Sequence, residues 1–268
     1  MYLAFQSIRT LVGASGYLPA VAIAASVLDI GLVFPRTNVT YSPSDVFPIV
    51  FAAQNSKLAE HLKLSIWYQV LNMTGDIDLL VDSIHEFDWI SASEHDPYLL
   101  WSPLRLGGES KLRVLWNLHW TSCNQTQQEV ILTRNSTDNF LVDFEIKASG
   151  QEVDIVAATN NNGNSANCLN GGVGIDVTDK TLEAATELLA HETCAVLNSS
   201  SPTPISNPCK VKIDKATVES MAAVDLEKNC RGFNQPSECP KSGLANHRFA
   251  IAGVSTVAAA FGAALFLS

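Results

Sequence analysis

Short apolar runs separated by turn residues dominate the middle of the chain. Residues 27–34 read VLDIGLVF and stop at Pro35. Residues 46–53 read VFPIVFAA, apolar at consecutive positions and so suited to a central strand covered on both faces. Similar runs follow at 65–71, 77–81, 111–121, 129–133, 140–147 and 153–158, divided by Gly, Pro, Asn and Asp clusters. Where the period is two, the buried face can be named. Ile66, Tyr68 and Val70 share one side of 65–71, which turns Trp67 the other way, and Val114, Trp116, Leu118 and Trp120 share one side of 111–121. Short strands with frequent turns predict a mainly β fold, a single immunoglobulin-like or related β-sandwich with one or two short helices. Two segments break the pattern. Residues 178–190 carry Leu182, Ala185, Leu188 and Leu189 at helical spacing behind a cap at Asp179 or Thr181, which predicts a helix, and residues 217–229 fit a helix or a strand. NNNGNSAN at 160–167 and SSSPTPISNP at 199–208 are loops by composition.

The two ends differ in texture. Residues 1–9 contain one positive charge, and residues 10–25 are apolar and uncharged, ending in small side chains; this predicts a secretory signal over 1–26, cut between Ala24 and Val27. Residues 249–268 are again free of charge, and no basic residue follows them. With Ser242 and Gly243 as candidate attachment residues, 241–268 fits a signal for a glycosylphosphatidylinositol (GPI) anchor. The segment between, 27–240, is expected to form the single β-sandwich domain. Of the 268 residues, 17 are Lys or Arg and 27 are Asp or Glu, a formal charge of −10. Such a chain has no general attraction for phosphate backbones, so a nucleic-acid partner is not expected.

Six cysteines, Cys123, Cys168, Cys194, Cys209, Cys230 and Cys239, all lie inside that domain and predict three disulfides. Fifteen pairings are open by count; Cys230 with Cys239 would close a small loop. With no Cys-x-x-Cys spacing, neither a zinc site nor any other cofactor is expected. Sequons for N-glycosylation occur at Asn38, Asn72, Asn124, Asn135 and Asn198, agreeing with the export signal on the secretory route.

The run LVFPRTNVTYSPSDVFPIVFAAQNSKLAEHLKLSIWYQ at 32–69 resembles a family of fungal secreted, GPI-anchored proteins that carry an uncharacterised domain. His119 to Cys123 (HWTSC), Cys194 to Leu197 (CAVL) and Pro208 to Ile213 (PCKVKI) are similar too. The resemblance implies one surface or secreted domain and brings no catalytic residues with it.

Reactive motifs are scarce. No nucleophile elbow, His-Glu-x-x-His helix, phosphate loop or calcium loop occurs, and Gly171 to Gly174 (GGVG) reads as a turn. His85-Glu86, Glu94-His95 and His191-Glu192 set imidazoles beside carboxylates, but neighbours on a strand face opposite ways. Asp76, Asp78, Asp82, Glu86 and Asp88 are evenly spaced and would share one face of an extended strand, as a solvated acidic face, a weak Ca²⁺ patch or paired acids for glycan hydrolysis. Trp116 and Trp120 belong to the core face, which leaves Trp67, Trp89 and Trp101 as a candidate platform for stacking on sugars. The expectation is a non-catalytic, glycosylated protein on the outer face of the plasma membrane or in the wall, held by a lipid anchor, that binds wall polysaccharide or surface proteins. The alternatives are a glycan-active enzyme using Asp78, Asp82 and Glu86, and a secreted effector-like protein.

Overall fold

The computed structural model describes residues 27–87, 95–106, 108–126, 129–160, 171–185, 191–198, 206–231 and 239. The end signals, the attachment candidates Ser242 and Gly243, and Trp89, Asp88, Glu94 and Cys168 lie outside the described residues. The fold is mainly β. Eleven strands are hydrogen-bonded into one sheet: β1 Val27–Phe34, β2 Val39–Tyr41, β3 Phe47–Gln54, β4 Ser65–Asn72, β5 Asp78–Glu86, β6 Tyr98–Leu104, β7 Ser110–Gln125, β8 Val130–Ser136, β9 Phe140–Ile146, β10 Gly172–Ala185 and β11 His191–Leu197. Two helices accompany them, α1 Ile155–Asn160 and α2 Lys215–Cys230.

The sheet turns back on itself into two layers. One runs β10-β1-β3-β6, the other β5-β4-β7-β9-β2. They meet through ring contacts: Phe51 of β3 packs edge-on against Trp116 of β7 at 5.4 Å, and Phe47 of β3 stacks on Phe144 of β9 at 5.0 Å. Such aromatic pairs add ~1 kcal/mol each to the area they bury. Along one side the layers are joined by β11, which pairs antiparallel with β10 and touches β7 at Val196 and Cys123. The Cys123–Cys194 disulfide crosslinks that seam. Cys230–Cys239 closes the short loop expected for it, and Cys209 is disulfide-bonded as well.

A third layer covers only one face. β1 and β3 are buried on both sides because residues 206–231 lie across the outside of β10-β1-β3-β6. Asp29 of β1 accepts from Ser206 Oγ and, at 2.8 Å, from Asn207 N, and Val211, Ile213 and Met221 are buried. Gly31 is required there: a Cβ on it would lie 2.8 Å from Pro208. The outer face of the other layer has no such cover from the described residues, so β4, β7 and β9 alternate buried and open as their sequences do.

Two expectations are corrected. Residues 153–158 are not a strand: Asp154 caps the N-terminus of α1 by accepting from Ala157 N at 2.8 Å, a start signal that outweighs the β-branched residues behind it. The helix expected at 178–190 is not formed over 178–185, which belong to β10, paired with β1 and β11; Leu188 and Leu189 lie outside the described residues. Leu182 and Ala185 lie in the uninterrupted pairing of Thr181 to Ala185 with β11, and cross-strand pairing overrides local preference. Residues 217–229 fall within α2, capped by Asp214, which accepts from Thr217 N.

Candidate functional site

Trp67 and Trp101, the two platform candidates that lie within the described residues, belong to different surfaces. Trp67 lies on the bare outer face of the second layer. Paired residues in an antiparallel sheet share a face, so Trp67 stands beside Ile84 of β5 and Asn117 of β7, and Gln69 beside Asp82 and Leu115. Leu71, Leu79, Arg113, Leu141 and Asp143 complete the surface. The indole Nε1 of Trp67 donates to Asp82 Oδ1 at 2.8 Å, which ties the ring diagonally toward the neighbouring strand. Ile84 is 67% exposed and Leu141 52%, so the apolar side chains around the ring stay in solvent. Arg113 and Asp143 form a bidentate pair at 2.6 and 2.8 Å, which holds the guanidinium above its ordinary pKa.

The acidic residues do not all share that face. A register shift at Val70/Leu71 places one extra residue, Leu80, in β5, and each such residue reverses the alternation. Asp82 and Glu86 therefore point outward with Trp67, whereas Asp78 pairs with Asn72 on the opposite parity. Asp82 and Glu86 are four residues apart on one strand, about 13 Å along it. That exceeds the separation of about 5 to 10 Å over which two carboxylates cooperate in glycoside hydrolysis.

Asn38 borders this face, its N–H donating to Asp143 O at 2.7 Å, and the other four sequon asparagines stand off it. Asn72 and Asn135 pair with Leu112 and Trp120 on the inner parity, and Asn124 follows Ser122 on that same parity. Asn38 precedes β2 and Asn198 follows β11.

Trp101 occupies the other surface, at the side of the sandwich where β5 and β6 leave it open. A cleft of about 430 Å³ lies there beneath α2. Phe51, Ile66, Tyr68 and Leu100 form its floor, Leu99 and Trp101 one wall, and Val224 of α2 its roof. Tyr68 donates its hydroxyl to Ser102 Oγ at 2.7 Å inside it. Alternation marks Tyr68 as buried, but nothing local in the sequence says that the space beside it is unfilled.

His85 also lines the cleft, on the inner parity, while Glu86 faces out, so the two do not act as a pair. Burial pushes the His85 imidazole down to about 4. The unfolded chain takes up a proton there near the ordinary 6.5, before the folded chain does. Stability present above that value should therefore fall as the pH drops from 6.5 to 4, by about 3 kcal/mol from this side chain. Urea midpoints at pH 7, 5.5 and 4.5 check this: His85→Phe should lose that part of the slope, and an unchanged slope would refute it.

The remaining His-Glu candidates give no constellation. Glu192 takes the Lys63 ammonium at 2.6 Å, and among the described residues no group of three or more His, Cys, Asp or Glu is placed to hold a metal. Gly172 to Gly174 lie inside β10, not in a phosphate loop. No helix among the described residues is long and apolar enough to cross a membrane. The disulfides are compatible with an extracellular protein. No curated protein and no solved structure matches the chain. The model of the domain of unknown function DUF7136 matches residues 23–239, a span that includes both surfaces, and the chain belongs to that family.

Proposed function

We propose that this is an exported, glycosylated surface protein that acts by binding rather than by catalysis, with polysaccharide as the ligand of the Trp67 face. The observation that carries this reading is the tied indole of Trp67 on a bare sheet face, flanked by apolar side chains and by the hydrogen-bonding groups of Gln69, Asp82 and Asn117. Sugar rings present apolar C–H faces and rims of hydroxyls, and such a surface offers both kinds of contact. Disulfides favour an oxidising compartment, and the sequence supplies a leader at 1–26 and an anchor signal at 241–268 with Ser242 and Gly243 as attachment residues. In this reading glycans at Asn72, Asn124, Asn135 and Asn198 leave the Trp67 face open, one at Asn38 borders its Asp143 edge, and the protein sits at the plasma membrane or in the wall of a fungal cell. The separation of Asp82 from Glu86 and the turn of Asp78 to the other side weigh against a glycan-cleaving enzyme.

The full chain expressed in a secretory host should sediment saturably with insoluble chitin or β-glucan. Trp67→Ala should weaken that binding about tenfold or more, ~1.4 kcal/mol or above, with no loss of fold. Absence of binding to both polymers would shift the reading to a protein partner on the same face.

A further inference from the structure

The cleft beneath α2 is chemically unlike the Trp67 face. Its floor and walls are aromatic and aliphatic, and the polar groups of its strand walls are the hydroxyls of Ser83, Ser102 and Tyr68 and the buried imidazole of His85. Among the described residues that line it there is no Asn or Gln side chain, which would pair with the rim of a sugar. A space of about 430 Å³ is of the size that encloses a small organic molecule.

Charges at the mouth narrow the class. Asp225 of α2 lies 3.8 Å from Arg105 and accepts from Asn229, and Glu227 accepts from Arg231 one turn on. Each carboxylate at the mouth thus has its own cation. Lys228 remains, exposed and in the last turn of α2, where the negative end of the helix dipole already favours a cation and opposes any anion brought close. Neither sign of charge on a guest is answered inside the cleft. From this geometry we infer that the cleft binds a neutral, largely apolar small molecule carrying a hydroxyl or carbonyl group.

The roof suits entry. Along α2 only Met221 is fully buried, whereas Val224, Asp225 and Leu226 are partly buried. A second recess of about 570 Å³ continues between Trp101, Pro48 and α1. The C-terminal half of α2 therefore rests on few packed side chains, and elements so seated open at lower free energy than core strands. Trp101 Nε1 and His85 Nε2 are buried in the walls without a hydrogen-bond partner among the described residues. Buried orphans of this kind are rare in native proteins, and a guest hydroxyl can give or accept the missing bond once the roof lifts.

The test uses the secreted full chain with Nile red as a neutral fluorescent probe, displaced by dodecanol or by dodecanoate. The expected result is saturable binding of one probe per chain, with dodecanoate about tenfold weaker than dodecanol as competitor. Val224→Trp should fill the space under the roof and weaken the probe about tenfold or more while leaving the thermal midpoint unchanged. Leu99→Trp on the facing wall serves if that variant misfolds. Polysaccharide sedimentation by either variant should be unaltered, so failure of this inference is separable from failure of the Trp67 reading. No saturable binding, tighter binding of dodecanoate, or undiminished binding in both folded variants would overturn it.

Discussion

Replacing Cys123 and Cys194 together by alanine is expected to lower the unfolding free energy by about 4 kcal/mol, among the largest effects available to substitutions in this chain. The bond closes a loop of 71 residues, and the entropy it removes from the unfolded chain grows with that length. Its place in the fold adds to the effect. β11 pairs with β10 along five residues from Thr181 to Ala185 but with β7 only at Val196 and Cys123, so besides the crosslink the seam there has one bridge, the Ala195 N–His61 O bond and the Lys63–Glu192 pair. Val130, Leu132, Leu182 and Val196 pack around the sulfurs and would lose their close fit. Urea unfolding without reductant measures the loss, and amide exchange should rise first in β11. A change below ~1 kcal/mol would mean that apolar packing alone holds the seam. Binding at the Trp67 face and in the cleft should survive in the folded variant, because both lie away from this side of the sandwich. The crosslink shuts the seam at the Cys123 end of β7, and the cleft opens between β5 and β6.

What could be read from the sequence follows burial. The end of β1 is marked by its apolar run and Pro35, and β4 and β9 by strict alternation, because one buried face writes a period of two into the chain, whereas β7 alternates only as far as His119 and runs on to Gln125, past the expected end at 121. β6 was missed: YLLWSPL is an edge strand with Ser102 and Pro103 inside it, and neither alternation nor a long apolar run survives. The acidic residues show a subtler failure. Their even spacing is real, but the extra residue at Leu80 reverses the faces, and a bulge depends on the partner strand, which the sequence of β5 alone does not contain. Trp67 could be placed outward from its neighbours, yet its bond to Asp82 joins two strands through their register. The cleft was invisible for the same reason, as β3, β4, β5, β6 and α2 each contribute side chains that look like ordinary core or surface in isolation.

Trp116→Ala should cost 3–5 kcal/mol, roughly the range for emptying a large aromatic site. Trp116 is fully buried, stacks on Phe140 at 4.5 Å and meets Phe51 of the facing layer edge-on. It pairs with Tyr68, so the cavity left behind would loosen the strand that carries both the cleft floor and, one residue earlier, the outward Trp67. Trp116→Phe separates packing from polarity. The Trp116 Nε1 is buried without a hydrogen-bond partner among the described residues, and a phenyl ring keeps much of the contact while removing that unpaired group. The expected cost of Trp116→Phe is therefore only about 1 kcal/mol, well below that of alanine. Thermal or urea unfolding of the two variants under one set of conditions decides it. A phenylalanine variant as unstable as the alanine one would show that the indole's extra volume, not its place between the layers, holds β4 and β7 against β3.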